Sequence, residues 1–327
     1  MSPFARCFPV DKIDDRVLAE NPWFRDMLLR WSPAGDALHH VTTDRRDAKS
    51  GCLRLAIRDS YINFYHNGQS VAQVRFDRNG TLRAKIHNKF VLGELGGGQT
   101  YLTLTCDGFS NAGGSLVRPY GGRDDLDMLI KNASGHAGDE KTFVDLIVAR
   151  NSNAIDLEMA LPAYLDDPKA RRAPRMDLVA LERAGDGWQI VFWEAKLAAD
   201  GRLRCEGEGL PKVVTQQLKD YKDWLNYADH SRAVASAYQH ACRLLVGFHG
   251  LAKAINPGLE ELGPGIIAVA AAEAPSLRVD ADPRLLIDNR KGTGSLEKNG
   301  HLKKLRDNGI HVQMVSGLGD MALETHA

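Results

Sequence analysis

The run Arg175-Met-Asp177-Leu-Val-Ala-Leu-Glu182, then a short turn, then Gln189-Ile-Val-Phe-Trp-Glu194-Ala-Lys196 decides the fold. Both runs are extended and rich in apolar, partly β-branched residues, and residues 184–187 leave room only for a tight connection, so they read as adjacent antiparallel strands. Side chains on a strand repeat every second residue, so Glu194 and Lys196 leave one face and Ala195 the other. Asp177, near the start of the first strand, then lies beside Glu194, near the end of the second. Two carboxylates converging with an ammonium alongside are costly unless something compensates them. A hard divalent cation does so. Mg2+ takes oxygen ligands and keeps several waters, so one Asp, one Glu and a main-chain carbonyl suffice when substrate phosphate completes the shell. The lysine is placed to hold or deprotonate a water beside the metal and to offset charge at a scissile phosphate.

The flanks supply the rest of an α/β sheet. Residues 124–132 and 140–150 carry apolar side chains at helical spacing, as in Phe143, Leu146 and Ile147, and residues 154–163 form a further extended run. Residues 216–227 return to helical spacing with Leu218, Tyr221, Trp224 and Leu225. Beyond them, residues 244–248, 266–270, 285–287 and 311–315 read as strands and residues 295–307 as one helix. This order implies a mixed central sheet flanked by helices.

The succession of Asp177, then Glu194-Ala-Lys196, then Gln217-Leu-Lys-Asp-Tyr221 resembles the PD-(D/E)XK nuclease superfamily, in particular its branches with a Q-x-x-x-Y helix such as RecB-type nuclease domains. The resemblance covers roughly residues 139–230. It implies a restriction-endonuclease-like core and Mg2+- or Mn2+-dependent hydrolysis of nucleic acid, with DNA the expected partner and internal cutting, in defence or repair, the expected action. Carried over by position, Asp177 and Glu194 bind metal, Lys196 serves the attacking water, and Gln217 and Tyr221, one helical turn apart on one face, contact substrate phosphate or orient the lysine. The product would keep a 5′-phosphate. Met176 stands where the family carries proline. The acid the family draws from its first core helix is matched first by Glu140 on the helix, with Glu158 on the following strand as the alternative. Asp156 and Glu158, two apart on that strand, share a face and equally suit a solvated edge. Arg204, in the segment 199–211, is a candidate phosphate contact. The competing reading is a catalytically silent nucleic-acid-binding or scaffold protein on the same fold, against which stands the presence of all three of Asp177, Glu194 and Lys196.

Residues 1–122 read as a β-rich accessory domain and 123–327 as the nuclease domain. In the first, the runs Leu53-Arg-Leu-Ala-Ile-Arg58, Tyr61-Ile-Asn-Phe-Tyr-His66, Val71-Ala-Gln-Val-Arg-Phe76 and Leu82-Arg-Ala-Lys-Ile-His87 are broken by Asn67-Gly68 and Asn79-Gly80, the signature of an antiparallel meander. Between residues 45 and 89 stand Arg45, Arg46, Lys49, Arg54, Arg58, Arg75, Arg78, Arg83, Lys85 and Lys89 against Asp47, Asp59 and Asp77. Tyr61, Phe64, Tyr65 and Phe76 interleave with Arg54, Arg58, Arg75 and Arg83, so one face could stack bases and hold phosphates while the other is core. This domain is expected to select substrate.

Composition limits the alternatives. With 42 Lys+Arg against 42 Asp+Glu, a bulk field attracting nucleic acid or membrane is excluded, and 43% hydrophobic residues exclude general disorder. The start carries no apolar run, and no stretch approaches the roughly 18–20 apolar residues of a membrane span, so a cytoplasmic protein without a membrane partner is expected. Cys7, Cys52, Cys106, Cys205 and Cys242 are scattered, without C-x-x-C or zinc spacing, and fit reduced thiols. The run at Gly96–Gly98 lacks a P-loop ending. Cutting both strands of a duplex would call for two active sites, hence a homodimer.

Overall fold

The computed structural model describes residues 4–35, 52–92, 100–162, 175–205, 209–227, 229–273, 277–292 and 294–325. Arg45, Arg46, Lys49 and the Gly96–Gly98 run lie outside them.

The N-terminal runs form a seven-stranded sheet in sequence order: β1 (Arg54–Ile57), β2 (Ile62–His66), β3 (Gln69–Phe76), β4 (Leu82–His87), β5 (Tyr101–Thr105), β6 (Gly108–Ser110) and β7 (Leu116–Arg118). Every neighbour is antiparallel. Asn67 and Gly68 both take positive φ, 46° and 66°, as a two-residue hairpin between right-twisted strands requires. At the next turn Asp77 accepts hydrogen bonds from the amides of Asn79 and Thr81, and Gly80 takes the left-handed position at φ 79°. One face of this sheet, through Ile62, Phe64, Val74, Leu82, Ala84, Ile86, Leu102 and Leu104, is core. Helices α1 (Asp15–Glu20), α2 (Pro22–Arg30) and α3 (Asn88–Leu92) belong to the same half, and α4 (Arg123–Gly135) packs on β3, α2 and α3.

The second sheet follows α5 (Asp139–Val148). It comprises β8 (Ala154–Ala160), β9 (Arg175–Ala184), β10 (Gly187–Leu197), β11 (Leu277–Val279), β12 (Arg284–Asp288) and β13 (Val312–Val315), in the order β13-β12-β10-β9-β8, with β11 also on β10. The first three strands are antiparallel, and β12 and β13 run parallel to β10. Its two faces divide by the strand period: Val191, Trp193 and Ala195 join the α5 residues Phe143, Val144 and Ile147, while Ile190 and Phe192 join the larger core with α6 (Lys212–Leu225) and α7 (His230–Ile255). The chain is thus mixed α/β, with antiparallel and mixed sheets flanked by helices.

Three expectations fail, each for a local reason. Residues 244–248 are part of the 26-residue helix α7, where Val234, Tyr238, Ala241, Leu245, Phe248 and Ala252 continue a helical stripe that a short window misses. Residues 266–270 lie in helix α8 (Pro264–Ala271), which opens on Pro264 in the first turn. Its start is seated closely, since a Cβ on Gly263 would come within 2.1 Å of the Ser152 carbonyl oxygen. Residues 295–307 are not one helix: Gly300, at φ 72°, separates α9 (Ser295–Lys298) from α10 (His301–Asp307).

The two sheets meet through buried charge. Asp156 on β8 accepts from Arg58, from Arg6 at 3.1 Å, from the Tyr238 hydroxyl at 2.8 Å and from the Leu157 amide at 2.8 Å. Arg58 also donates to the Leu157 carbonyl at 2.5 Å, and Arg54 reaches Asp145 on α5 at 3.3 Å. Arg54 and Arg58 are therefore interior struts and do not track phosphate; likewise Asp156 is core, not a solvated edge. Phe64 and Tyr65 are buried as well, on opposite faces of β2.

Candidate active site

Register brings the key carboxylates together. Trp193 of β10 pairs with Leu178 of β9, so the next antiparallel step sets Glu194 opposite Asp177. The Ala195 amide donates to Asp177 Oδ2 at 2.8 Å, which pins the carboxylate to the neighbouring strand. Lys196 points the same way as Glu194 and donates to Glu194 Oε1 and, at 2.8 Å, to the Ala195 carbonyl. Glu194 and Lys196 are each only 2% exposed, so their charges act across a medium that screens poorly.

The electrostatics are unbalanced. Burial, and then the charge of Glu194, push Asp177 well above the usual carboxylate range, with Lys196 and the Ala195 amide opposing and Glu158 adding to the push. Glu194 is also raised, by burial first, although Lys196 and Gln217 pull it down. One ammonium is shared among too many acids. Gln217, on α6, lies close enough to Glu194 to lower its proton affinity, yet Glu194 Oε2 is buried without a partner in strict hydrogen-bond geometry. An orphaned anionic oxygen of this kind is what a cation would satisfy.

Of the two candidate third acids, Glu140 is the one that meets the lysine. Standing in the first turn of α5, it lies 3.9 Å from Lys196 Nζ and 3.5 Å from Arg202 Nη2. Glu158 takes φ 51°, which breaks the alternation of β8, and its carboxylate is held by Lys141 at 3.2 Å and Arg175 at 3.0 Å. Among the described residues no group of three or more His, Cys, Asp or Glu side chains is close enough to hold a metal ion. Asp177 and Glu194 fit a cation that draws most of its shell from water and substrate, while Glu140 is held by cations instead.

Tyr221 differs from its expected role. It is wholly buried: its hydroxyl donates to the Met159 carbonyl at 2.7 Å and accepts from the Met176 amide at 3.2 Å, tying β8 to β9. A phenol so placed offers no surface to a phosphate; it braces the strand that carries Asp177. Arg204 turns back to the Ala198 carbonyl at 2.9 Å, and its Nη1 is buried without a partner. Arg202, paired with Asp200 at the start of a 3-10 turn (Gly201–Leu203), is the loop arginine that reaches the carboxylates. Spacing alone did not separate the two arginines, because the choice depends on where that turn exits β10. No significant match emerged when the chain was compared with protein-family models, curated protein sequences and solved structures. Among the described residues no helix is long and apolar enough to cross a membrane.

Proposed function

We propose that this chain is a divalent-metal-dependent nuclease on a restriction-endonuclease-like core, hydrolysing phosphodiester bonds of nucleic acid, with DNA as substrate and cutting at internal positions. The single observation that carries the reading is the pair Asp177 and Glu194, facing one another across β9 and β10 with raised proton affinities while Lys196 rests on Glu194. The order of elements supports it: a helix bearing Glu140, three antiparallel strands, a helix bearing Gln217, and a parallel strand beside β10. Asp177, Glu194 and the Ala195 carbonyl would hold Mg2+ or Mn2+, which when bound polarises a phosphoryl oxygen and acidifies water. Lys196, now resting on Glu194, would be the ammonium placed to hold the attacking water or to offset charge on the phosphate. Gln217 orients Glu194, and Tyr221 fixes the strand beneath.

A second reading, a catalytically silent nucleic-acid-binding scaffold, has one observation in its favour: Lys196 occupies an oxygen of Glu194, and no three-carboxylate set is assembled among the described residues. Cleavage decides between them. Circular single-stranded DNA, supercoiled duplex DNA and structured RNA are incubated with wild type and Lys196→Ala in Mg2+, Mn2+ and chelator. Metal-dependent cutting of closed circles that falls by roughly 100-fold or more in the variant is expected, in keeping with loss of one charge-stabilising donor. Equal inertness of the two proteins would leave the scaffold.

A further inference from the structure

The outer face of the first sheet is polar, basic and aromatic in a pattern the core does not require. Register sets Gln73 opposite Lys85, Lys85 opposite Thr103, His87 opposite Tyr101, and Arg75 directly opposite Arg83. Like charges facing across an antiparallel pair destabilise it. Arg83 is relieved by Asp77, whereas Arg75, Lys85 and Lys89 have no carboxylate partner among the described residues. Lys85 lies 4.1 Å from the centre of the Tyr101 ring, and the His87 and Tyr101 rings meet edge-on at 5.1 Å. Burial and the neighbouring Lys89 hold His87 below the ordinary imidazole range, so at neutral pH it presents a ring and not a charge.

This face runs into a cleft of about 740 Å³ between the sheets. Five basic side chains line it (Arg6, Arg58, Lys89, Lys141 and Arg175) against the acids Asp59 and Glu158, with Tyr61, Tyr101 and the amides of Gln69 and Gln73. Arg6 and Arg58 are spent on Asp156; Lys141 and Arg175 share the single carboxylate of Glu158, so that the trio keeps one positive charge, and Lys89 has no carboxylate partner among the described residues. The far wall of the cleft neighbours the candidate active site without including its carboxylates: Lys141 follows Glu140 in sequence, Arg175 stands two residues before Asp177 on β9, and Glu158 on that wall is close enough to raise Asp177.

We propose that a single-stranded nucleic-acid segment lies across this face and through the cleft, stacking on Tyr101 and His87 and setting its phosphates against Lys85, Lys89, Lys141 and Arg175, next to Asp177 and Glu194. Rings for any base plus a track of cations make a strand-binding surface that tolerates sequence, and a cleft narrowed by two sheets suits one strand better than a duplex. The proposal rests on the nuclease reading for its purpose, though not for its measurement.

The test is fluorescence anisotropy in chelator with the full chain, using labelled oligothymidylate, oligouridylate and a blunt duplex of equal length. The single strands bind more tightly than the duplex. Lys85→Glu with Lys89→Glu weakens that binding at least about 10-fold and lowers the salt slope by about 1.4, from about 0.7 per phosphate contact. Tyr101→Ala weakens it about 10-fold through lost stacking. Lys298→Glu with Lys303→Glu, on the exposed faces of α9 and α10, leaves it unchanged, and thermal melts verify that all variants are folded. Wild-type affinity in the folded cleft variants, or equal affinity for duplex, overturns the proposal. So does full competition by adenosine monophosphate with no gain from a longer strand, which would make the cleft a site for a free nucleotide. The two readings fail separately. Strand binding that depends on the cleft in a protein inert with every metal sinks only the nuclease, whereas cleavage lost in Lys196→Ala but untouched in the cleft variants sinks only the strand track.

Discussion

Two of the carboxylate sets in the second sheet have been treated oppositely. Asp156 on β8 is 4% exposed, and although burial alone would raise it, Arg58 and Arg6 hold it below the usual carboxylate range with help from Tyr238. Asp177 and Glu194, one and two strands away, share a single lysine and are both pushed up. Every oxygen of Asp156 has donors; Glu194 leaves one without. The difference separates structure from function. A compensated buried charge stabilises a junction, while an uncompensated one is stability withheld, and it persists where something absent from the folded chain alone completes it.

The largest effect should come from breaking the compensated set. Asp156→Asn leaves Arg6 and Arg58 buried against a neutral amide, and removing one partner of such a set costs about 3–5 kcal/mol. Urea denaturation of the variant at pH 7 measures it, and a loss below about 1 kcal/mol would mean the junction is not held by charge. The wild-type pH dependence has a defined sign. Because the folded carboxyl is depressed, its contribution is present above the unfolded value near 3.9 and is lost as pH falls below it.

A smaller effect, of opposite kind, is expected from completing the uncompensated set. Saturating Mg2+ should raise the melting temperature of wild type, since a ligand at about 100 times its Kd adds about 2.7 kcal/mol. Asp177→Asn and Glu194→Gln should lose that rise. A Mg2+ response that survives both substitutions places the ion elsewhere.

The contrast itself was only half legible in the sequence. Strand period and a short turn were enough to pair β9 with β10 and to bring Asp177, Glu194 and Lys196 together, because those relations are local. Glu140 was preferred to Glu158 from its position on a helix, yet what it touches depended on how α5 abuts the end of β10. Asp156 was read beside Glu158 as an edge. Its partners Arg6, Arg58 and Tyr238 are 150, 98 and 82 residues away, and no local pattern announces them. The same distance hid the outer face of the first sheet. Arg54 and Arg58, counted among its surface cations, proved to be its anchors, while the grouping of Lys85 with His87 and Tyr101 emerged only from the register of β4 against β5.

The smallest predicted effect is the most discriminating. If Asp177 is held above its ordinary range by burial and by Glu194, the folded protein binds a proton there more tightly than the unfolded chain does. Stability in chelator then falls as pH rises from the unfolded value near 3.9 toward the raised folded value, and stays lower beyond it. Asp177→Asn removes the charge while its amide oxygen can still accept from the Ala195 amide, so the variant escapes that loss. It should be more stable than wild type at pH 7 by about 0.5–2 kcal/mol, the usual gain from relieving a strained functional site. The advantage should shrink toward zero near pH 4, and saturating Mg2+ should reverse it. Denaturation of both proteins in chelator across that range reads the gap directly. A variant less stable than wild type at pH 7 would make Asp177 a structural acid like Asp156, and the opposition between the two sets would collapse.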